Sequence, residues 1–432
     1  MKKINKMDFY NDQKGFDSFS ISQIAFGKYG IVDGPFGSNL KSIHYRDRGI
    51  PIIQSGFVTT GKFFAEEYKY VDITKYEKEI RSSVSAGDLV IAKIGAKAGT
   101  SALLPENHPT GIIAGNCIKI TPNKALICPK YLAYLMENFY QSGALKNIIN
   151  TTAQPAVSMS QLKRMRILIP SLPEQKKIVD IIYCVEQLIE NIQKQLSKLQ
   201  NLKKGFINDL FAKDISTLSS KYKSFGIIPD RWKIGPLSEI AEMITGFAFS
   251  SSNFVKNGSL CVRMGNLYNN QFHFSRSSVY LPKTFIKQYP KFVVNSGDLL
   301  MSMTGTAGKR DYGYIVEVPD SFQKGLLNQR VAKIVPKNLN SSKFICELMR
   351  SDFYLEKLFA FGSGTKQANL SAKQILGIVV PLPPIDEQVK IGEFIETIER
   401  NISANYQRLS HYKSLKRSLT EDLISGLKRV NI

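Results

Sequence analysis

The sequence predicts an α+β protein built from two copies of one plan, in which a mixed α/β globular segment is followed by a long helix. Two observations carry this prediction. A Pro-rich motif ending in Glu-Gln occurs twice, at Ile169–Gln175 and Leu382–Gln388, and aliphatic residues recur behind each copy at heptad spacing. We therefore expect two globular segments in tandem, separated by two helices that pair as an antiparallel coiled coil.

The repeat keeps a nearly constant offset along the chain, which is the test of an internal repeat. Glu387 lies 213 residues after Glu174 (387 − 174 = 213), and Gly297–Leu299 follows Gly87–Leu89 at an offset of 210. Shorter matches pair Ser160 with Ser371, Asn116 with Asn328 and Gln54 with Arg263. The anchors predict globular domains over 1–168 and 216–380, and helical spacers over 169–215 and 381–432.

The first long helix is predicted from Pro173 to about Gly205, because proline suits the first helical position and Glu174 suits the positive end of the helix dipole. It would span about 50 Å. Ile181, Leu188 and Leu202 are placed at the interleaved heptad positions. The residues expected to pair the helices are Ile178, Val185, Ile192 and Leu199 in the first, and Ile391, Ile398, Ile402 and Leu409 in the second.

Short strand-like runs alternate with turn-rich loops in the globular segments, which is typical of a mixed α/β domain. Strands are predicted at Pro51–Ile53, Leu89–Ile91 and Cys117–Ile120, and a helix at Lys130–Tyr140. Aspartates in the two Gly-Asp pairs are expected to bond turn backbone. Residues 1–20 are expected to form a loose Lys-rich arm or an added helical turn, and 216–224 a polar linker.

The charge balance points to a polyanionic partner. Lys and Arg number 58 against 36 Asp and Glu, which leaves a formal net charge of +22. No apolar run has the length of a membrane span, and the N-terminus lacks the apolar stretch of a signal peptide. Five scattered cysteines without a C-x-x-C pair suit a reducing cytoplasm, and no metal-ligand spacing is present.

Catalytic motifs are missing. Gly305–Arg310 superficially resembles a phosphate loop, but the glycines are too close together and Arg310 replaces the Ser or Thr that a metal–nucleotide site needs. The sequence contains no nucleophile elbow and no dinucleotide fingerprint. It also lacks the Asn/Asp-Pro-Pro-aromatic tetrapeptide with which amino-methyltransferases hold their target base. We expect neither catalysis nor a resident metal.

Binding candidates are better represented, in loops that follow strand-like runs. Lys93, Lys97, Lys309 and Arg310 sit beside glycines that allow close approach to a phosphate. Gln54, Arg263 and Asn266 could reach base edges, since Arg reads guanine and Gln or Asn reads adenine. Ser38, Asn39 and Lys41 belong to a turn-rich loop and complete the candidate DNA-binding set. Each of these residues could instead belong to a solvated turn or make a structural hydrogen bond.

The doubled motifs resemble those of the specificity subunit of type I restriction–modification systems. The matching stretches in the second half are Gly226–Trp232, Gly297–Leu299, Asn328-Gln329, Asn369–Ser371 and Pro381–Gln388; in the first they are Gly87–Leu89, Ser158–Ser160 and Pro170–Gln175. The first half departs from the pattern by lacking the tryptophan, by Cys117 in place of Gln329, and by a shorter Pro-rich motif.

This resemblance implies two target-recognition domains, each reading one half of a bipartite site on double-stranded DNA. Two modification subunits would dock on the chain and methylate adenine with S-adenosylmethionine, and restriction subunits would add ATP- and Mg-dependent translocation and cleavage. The chain itself would hold no cofactor and catalyse nothing. Unlike residues at equivalent positions, such as Gln54 and Arg263, predict an asymmetric site.

Two alternatives stay open at this point. One is a DNA-binding structural or regulatory protein without enzymatic partners, and the other is a self-contained DNA enzyme, against which the missing motifs argue.

Overall fold

The computed structural model describes residues 15–150, 154–211, 231–306, 308–361 and 367–431. The predicted linker at 216–224 and most of the predicted N-terminal arm lie outside these ranges. The chain divides into two compact units: unit 1 comprises Met1–Ile192 with Arg408–Ile432, and unit 2 comprises Gln193–Gln407. Each unit therefore includes part of both long helices, and the predicted division into four segments stays a prediction.

Unit 1 is a mixed α/β segment followed by the first long helix, which continues into unit 2. Its elements are β1 (Asp17–Ser20), β2 (Ile31–Asp33), β3 (Ile50–Ile53), β4 (Lys69–Val71), α1 (Ile73–Lys78), β5 (Ser83–Val84), β6 (Leu89–Ala92), β7 (Ser101–Leu103), β8 (Gly111–Ile113), β9 (Cys117–Ile120), α2 (Pro129–Ser142), β10 (Ile149–Asn150), β11 (Ala156–Val157), α3 (Met159–Arg164), β12 (Arg166–Ile169) and α4 (Leu172–Leu210).

Unit 2 repeats this plan. Its elements are β13 (Lys233–Pro236), β14 (Ala241–Thr245), β15 (Ser259–Val262), β16 (Leu267–Tyr268), β17 (Gln271–Phe272), β18 (Val279–Leu281), α5 (Phe285–Gln288), β19 (Val293–Asn295), β20 (Leu299–Ser302), β21 (Thr304–Thr306), β22 (Ile315–Glu317), β23 (Lys324–Leu327), β24 (Val331–Pro336), α6 (Ser342–Arg350), α7 (Asp352–Ala360), β25 (Gln367–Asn369), α8 (Ala372–Leu376), β26 (Val379–Leu382) and α9 (Ile385–Ile424), which continues into unit 1.

Each unit contains two four-stranded sheets, and these sheets have the same topology in both units. One four-stranded sheet has the order β2-β9-β6-β7 in unit 1 and β14-β24-β20-β22 in unit 2, with all pairs antiparallel. A second has the order β4-β3-β8-β5 and β18-β15-β23-β19, with one parallel pair in each, β3–β8 and β15–β23. The predicted tandem repeat is thus confirmed by both four-stranded sheets, whereas the two-stranded sheets β10-β11, β16-β17 and β21-β25 differ between the units.

The strand register corrects parts of the sequence alignment between the two copies. Ala92 pairs with Cys117 in unit 1 and Ser302 with Val331 in unit 2, so Cys117 corresponds to Val331 and not to Gln329. The match of Asn116 with Asn328 is shifted by two for the same reason. Likewise Ser158 and Ser371, not Ser160, cap equivalent helices, because each accepts a backbone N–H three residues later.

The two Gly-Asp turns behave as predicted. Asp88 Oδ2 accepts the backbone N–H of Ser85 at 2.9 Å, and Asp298 Oδ2 accepts that of Asn295 at 2.8 Å. The preceding glycine has a positive φ in both turns, +84° in unit 1 and +79° in unit 2, which favours glycine. These aspartates are therefore structural.

Antiparallel pairing of the long helices is confirmed by the cores of the two units. In unit 1, Ile178 and Ile182 near the start of α4 share a core with Leu423 and Ile424 at the end of α9. In unit 2 the contact is between the end of α4 and the start of α9, where the Phe206 and Phe394 rings lie 4.7 Å apart. α4 has 39 residues and spans about 58 Å.

Two of the three interleaved heptad positions were predicted wrongly, whereas Ile181 is half-buried and packs against the core of unit 1. Leu188 is 40% exposed and Leu202 52% exposed, whereas Ile182 and Leu196 are buried. These two buried residues follow Ile178 and Ile192 by four residues and not by three. The predicted pairing residues are buried, apart from Leu199 and Ile402, which are half-buried.

The Glu-Gln motif attaches each long helix to its globular segment. Gln175 Oε1 accepts the backbone N–H of Cys128 at 2.8 Å, at the start of α2, and its Nε2 donates to Pro170 O at 2.9 Å. Gln388 makes the equivalent bonds to Ser341 N at 3.2 Å and Pro383 O at 2.9 Å. The motif thus closes the turn before the helix and caps a neighbouring helix.

Each long helix also carries a lysine at an equivalent partly buried position (416 − 203 = 213). In unit 2, Lys203 Nζ lies 2.9 Å from Glu347 and 2.5 Å from Glu399. In unit 1, Lys416 Nζ lies 2.8 Å from Glu186 and 3.5 Å from Glu137. Burial alone would raise the pKa of Glu399, but its lysine partners hold that pKa below the usual range.

Candidate nucleic-acid interface

In unit 1 the loops that carry the candidate residues meet at one edge of the sheets. They follow β2, β3 and β6 and precede β9. Lys93 N donates to Asn116 O at 2.8 Å, and Ser55 N donates to Asn116 Oδ1 at 3.4 Å, which joins three of the loops. Gly34 is required here, because a Cβ at that position would lie 2.1 Å from Ala114 O.

Lys93 is held by its neighbours at this edge. Its Nζ lies 2.8 Å from Asp33 Oδ2 and 4.1 Å from the centre of the Phe36 ring. Burial alone would raise the pKa of Asp33, but the hydrogen bond from Lys93 and the charges of Lys93 and Arg81 hold it below its usual range. Lys93 therefore serves first as an internal counter-ion, and its charge is partly neutralised before any phosphate approaches.

The other candidates of unit 1 lie along the same loops. Asn39, Lys41 and Lys97 are exposed, and Gln54 is half-buried at the end of β3. Ser38 lies in the 3-10 turn Gly37–Asn39. This edge therefore offers amides and lysines.

Unit 2 forms the equivalent edge from the loops after β14, β15 and β20 and before β24. Gly246 repeats the requirement of Gly34, since a Cβ would lie 2.1 Å from Asn328 O. The Thr304 hydroxyl contacts Met264 Sδ, so that the loop after β15 lies against β21. Arg263, Lys309 and Arg310 are exposed, and the Arg310 guanidinium lies 5.3 Å from the centre of the Phe359 ring.

The structure contradicts the prediction that Asn266 reads a base. Its side chain is fully buried, with Oδ1 accepting the backbone N–H of Arg263 at 2.9 Å. Its Nδ2 donates to His273 O at 2.8 Å and Arg276 O at 3.3 Å. The amide is therefore fully used in holding the loop between Arg263 and Arg276.

Sequence reasoning missed Arg276 and Tyr268, which lie on this loop. The Arg276 guanidinium carbon is 3.7 Å from the centre of the Tyr268 ring, and both residues are exposed. A signal was available: Asn269-Asn270 is a hairpin dipeptide, and both residues take the left-handed conformation that such turns require (φ 55° and 56°). An arginine that follows such a hairpin, on the same loop as Arg263, is a candidate for the same interface.

The described ranges contain no group of three or more His, Cys, Asp or Glu side chains placed to hold a metal ion. No helix within them is long and apolar enough to cross a membrane.

Fold and site together define a class: a tandem-repeat protein with two equivalent loop edges, rich in amides and cations, and two long paired helices. The chain belongs to the type I restriction modification DNA specificity domain family, whose sequence model matches residues 38–201 and 229–411.

Individual relatives agree with this assignment. The chain is 28% identical over 366 residues to the type I restriction enzyme MjaVIII specificity subunit of Methanocaldococcus jannaschii, which covers 84% of this chain and 83% of that protein. It shares the fold of the type I restriction–modification S subunit of M. genitalium, with a TM-score of 0.54, 13% identity and 98% of each chain covered. A chain from a structural study of type I R-M complex assembly and conformational transition gives a TM-score of 0.56 at 15% identity, covering 96% of this chain and 99% of that one.

Proposed function

We propose that this chain is the DNA-recognition subunit of a type I restriction–modification complex, and that each unit reads one half of an asymmetric bipartite site. One observation carries the proposal: the units share topology and loop framework but differ in the side chains they present. Gln54 directly follows β3 in unit 1, and Arg263 directly follows the equivalent strand β15 in unit 2. An amide and a guanidinium favour different bases, so the half-sites should differ.

The edge residues divide by chemistry into two roles. Lys41, Lys97 and Lys309 are exposed lysines, suited to phosphates as point charges. Gln54 and Arg263 stand at strand ends, where the framework is more rigid, and are suited to base edges. The formal charge of +22 supplies the long-range attraction to DNA.

The same proposal includes the partners. Two modification subunits would dock on the chain and carry S-adenosylmethionine, restriction subunits would carry ATP and Mg, and this chain would contribute recognition without catalysis. Exposed apolar side chains on the long helices support docking, because water-facing aromatic and aliphatic groups commonly mark interaction surfaces. They are Tyr183, Leu188 and Leu202 on α4, and Val389, Phe394 and Tyr406 on α9.

The proposal is tested by sequencing host DNA for N6-methyladenine with and without this gene. The expected result is a two-part asymmetric motif with a fixed unspecified spacer, lost on deletion and recovered when the wild-type gene is restored. A methylome that is identical in the two strains, with the methyltransferase partners expressed, would contradict modification-guiding recognition and favour a DNA binder without enzymatic partners.

A domain exchange sharpens this test. Replacing residues 1–168 with the corresponding segment of another specificity subunit should change one half of the motif and leave the other half and the spacer length unaltered. The matched control replaces residues 216–380 and should change the opposite half. If either exchange altered both halves, the two units would not read DNA independently.

A further inference from the structure

We propose that Arg276 is a base-reading residue of unit 2, and that it recognises a guanine through the N7 and O6 acceptors in the major groove. This inference rests on the proposed function and extends it to a residue that the sequence patterns did not single out. Its basis is the way the loop between β15 and β18 fixes a solvent-exposed guanidinium in one plane.

The loop is rigid although it lies at the surface. Asn270 Oδ1 accepts the backbone N–H of Ile315 at 3.0 Å, and Asn270 O accepts Arg350 Nη2 at 3.3 Å. At its other end, the buried Asn266 amide holds Arg276 O. The hairpin is therefore tied to β22 and α6, and the backbone of Arg276 is fixed by a buried side chain.

Tyr268 forms the platform for the guanidinium and is itself restrained. Its ring lies 5.7 Å from the Tyr314 ring in an edge-on arrangement and 6.3 Å from the His273 ring. His273 Nε2 is also 3.2 Å from Tyr268 O. With the ring restrained from two sides, the Arg276 guanidinium is restrained as well, because its central carbon lies 3.7 Å from the ring centre, a distance that suits packing of the planar group over the ring face.

The stacked guanidinium keeps its donors available. Stacking uses the face of the group, so the five N–H donors in its plane remain free to bind a planar acceptor pair. Within the ranges that the structure describes, Arg276 makes no ion pair with a carboxylate and no side-chain hydrogen bond. An exposed arginine ordered without an acidic partner has donors arranged for an acceptor outside the chain.

A base edge fits this arrangement better than a phosphate does. Guanine presents two acceptors in a plane, and the bidentate contact of Arg to O6 and N7 requires a fixed guanidinium plane. A phosphate accepts a cation from many directions and gains little from a fixed plane. Tyr268 stands five residues after Arg263 (268 − 263 = 5), and the residue five after Gln54 in unit 1 is Thr59 (59 − 54 = 5). Thr59 provides no ring, so only one half-site should contain this contact.

The test is the adenine methylome of the host carrying the full complex with Arg276→Ala in this chain. We expect the guanine at one position of the unit 2 half-site to become degenerate, with discrimination there reduced about ten- to hundredfold. The other half-site and the spacer should be unchanged. Arg276→Lys should give the same degeneracy, because an ammonium keeps the charge but not the planar fork, and Tyr268→Phe should keep the native motif.

Lys324→Ala is the matched control, since this exposed cation of unit 2 begins β23, which runs parallel to β15, and so lies at the opposite end of these strands from the candidate edge. It should leave the motif unchanged. The inference is overturned if methylation in Arg276→Ala falls uniformly at all sites with the motif intact and Arg276→Lys restores it, which is the behaviour of a phosphate contact. It is also overturned if the motif stays fully specific. A wild-type methylome without a bipartite motif would instead overturn the proposed function itself.

Discussion

The two units neutralise equivalent glutamates, Glu174 and Glu387, in different ways. Glu174 at the start of α4 is bound by Arg429, with Nε–Oε1 and Nη2–Oε2 distances of 2.7 Å each, and the guanidinium lies 4.9 Å from the centre of the Phe16 ring. Glu387 at the start of α9 accepts the indole N–H of Trp232 at 2.6 Å and is paired with Arg231.

Phe16 and Trp232 occupy equivalent positions, since each directly precedes the strand that pairs with the segment before the long helix, β1 with β12 and β13 with β26. Where unit 2 uses an indole N–H, unit 1 has a ring without a donor and takes its donor from Arg429. The absence of a tryptophan at position 16 is therefore compensated by Arg429, which donates to Glu174 in place of an indole. The last residues of the chain are structurally part of unit 1.

The largest expected loss of stability comes from removing Lys203 of unit 2, compared with its counterpart Lys416 of unit 1. Each lysine and its glutamate partners form a lysine cluster. Lys203→Met should lower the free energy of unfolding by about 2–4 kcal/mol, because Glu347 is buried and would lose one of its two cationic partners. Lys416→Met should cost only about 1 kcal/mol, since Glu137 and Glu186 are more exposed and Tyr134 still donates to Glu186. Calorimetry of the full chain measures both. Equal losses would show that the two clusters are energetically equivalent.

Removing Arg429 of unit 1 should cause the next largest loss of stability. Arg429→Ala leaves the buried Glu174 carboxylate without its main donors and should cost about 2 kcal/mol at neutral pH. Arg231→Ala, the control in unit 2, should cost well under that, because Arg231 is 62% exposed and Trp232 remains.

The pH dependence of this effect has a definite sign. The hydrogen bonds from Arg429 hold the pKa of Glu174 below its ordinary value, so their contribution is complete above the ordinary carboxyl pKa and is lost as the pH falls through the lowered pKa. The stability difference between wild type and Arg429→Ala should therefore be largest near neutrality and vanish in acid. A difference independent of pH would contradict the ion pair as its cause.

Making unit 2 resemble unit 1 should have a smaller effect than removing Arg429 from unit 1. Trp232→Phe removes one donor to Glu387 and should cost about 1–2 kcal/mol, measured by urea unfolding. In the reverse direction, Phe16→Trp should recover part of the stability lost in Arg429→Ala, by supplying an indole N–H to Glu174. If Phe16→Trp has no effect in that background, the two positions are not equivalent.

Several elements were predictable because their signals are local. The helix predicted over Lys130–Tyr140 is α2, which begins with Pro129 at its first turn and ends at Gly143 in the left-handed conformation. The strands at Cys117–Ile120 and Leu89–Ile91 were recovered within one residue. Their apolar runs are bounded by turn residues, and such patterns are independent of the rest of the chain.

Candidate contact residues were less predictable, because solvent exposure of a polar side chain depends on what packs around it. Asn266 and Arg263 stand three residues apart, and sequence treats both as potential base readers. Burial assigns the amide to its own loop and leaves the guanidinium in solvent. The partner of Lys93 could not be foreseen either, since Asp33 lies 60 residues away along the chain.

By itself the sequence determined the repeat, the fold class and the two long helices, and its charge indicated a polyanionic partner, since each follows from periodicity or composition. Only the tertiary structure decided which heptad positions are buried, which residues correspond between the copies, and how the glutamate at the start of each long helix is neutralised. Pairing of Glu174 with Arg429 joins positions 255 residues apart. Contacts of this kind form only when distant segments of the chain pack together, so a local sequence pattern does not predict them.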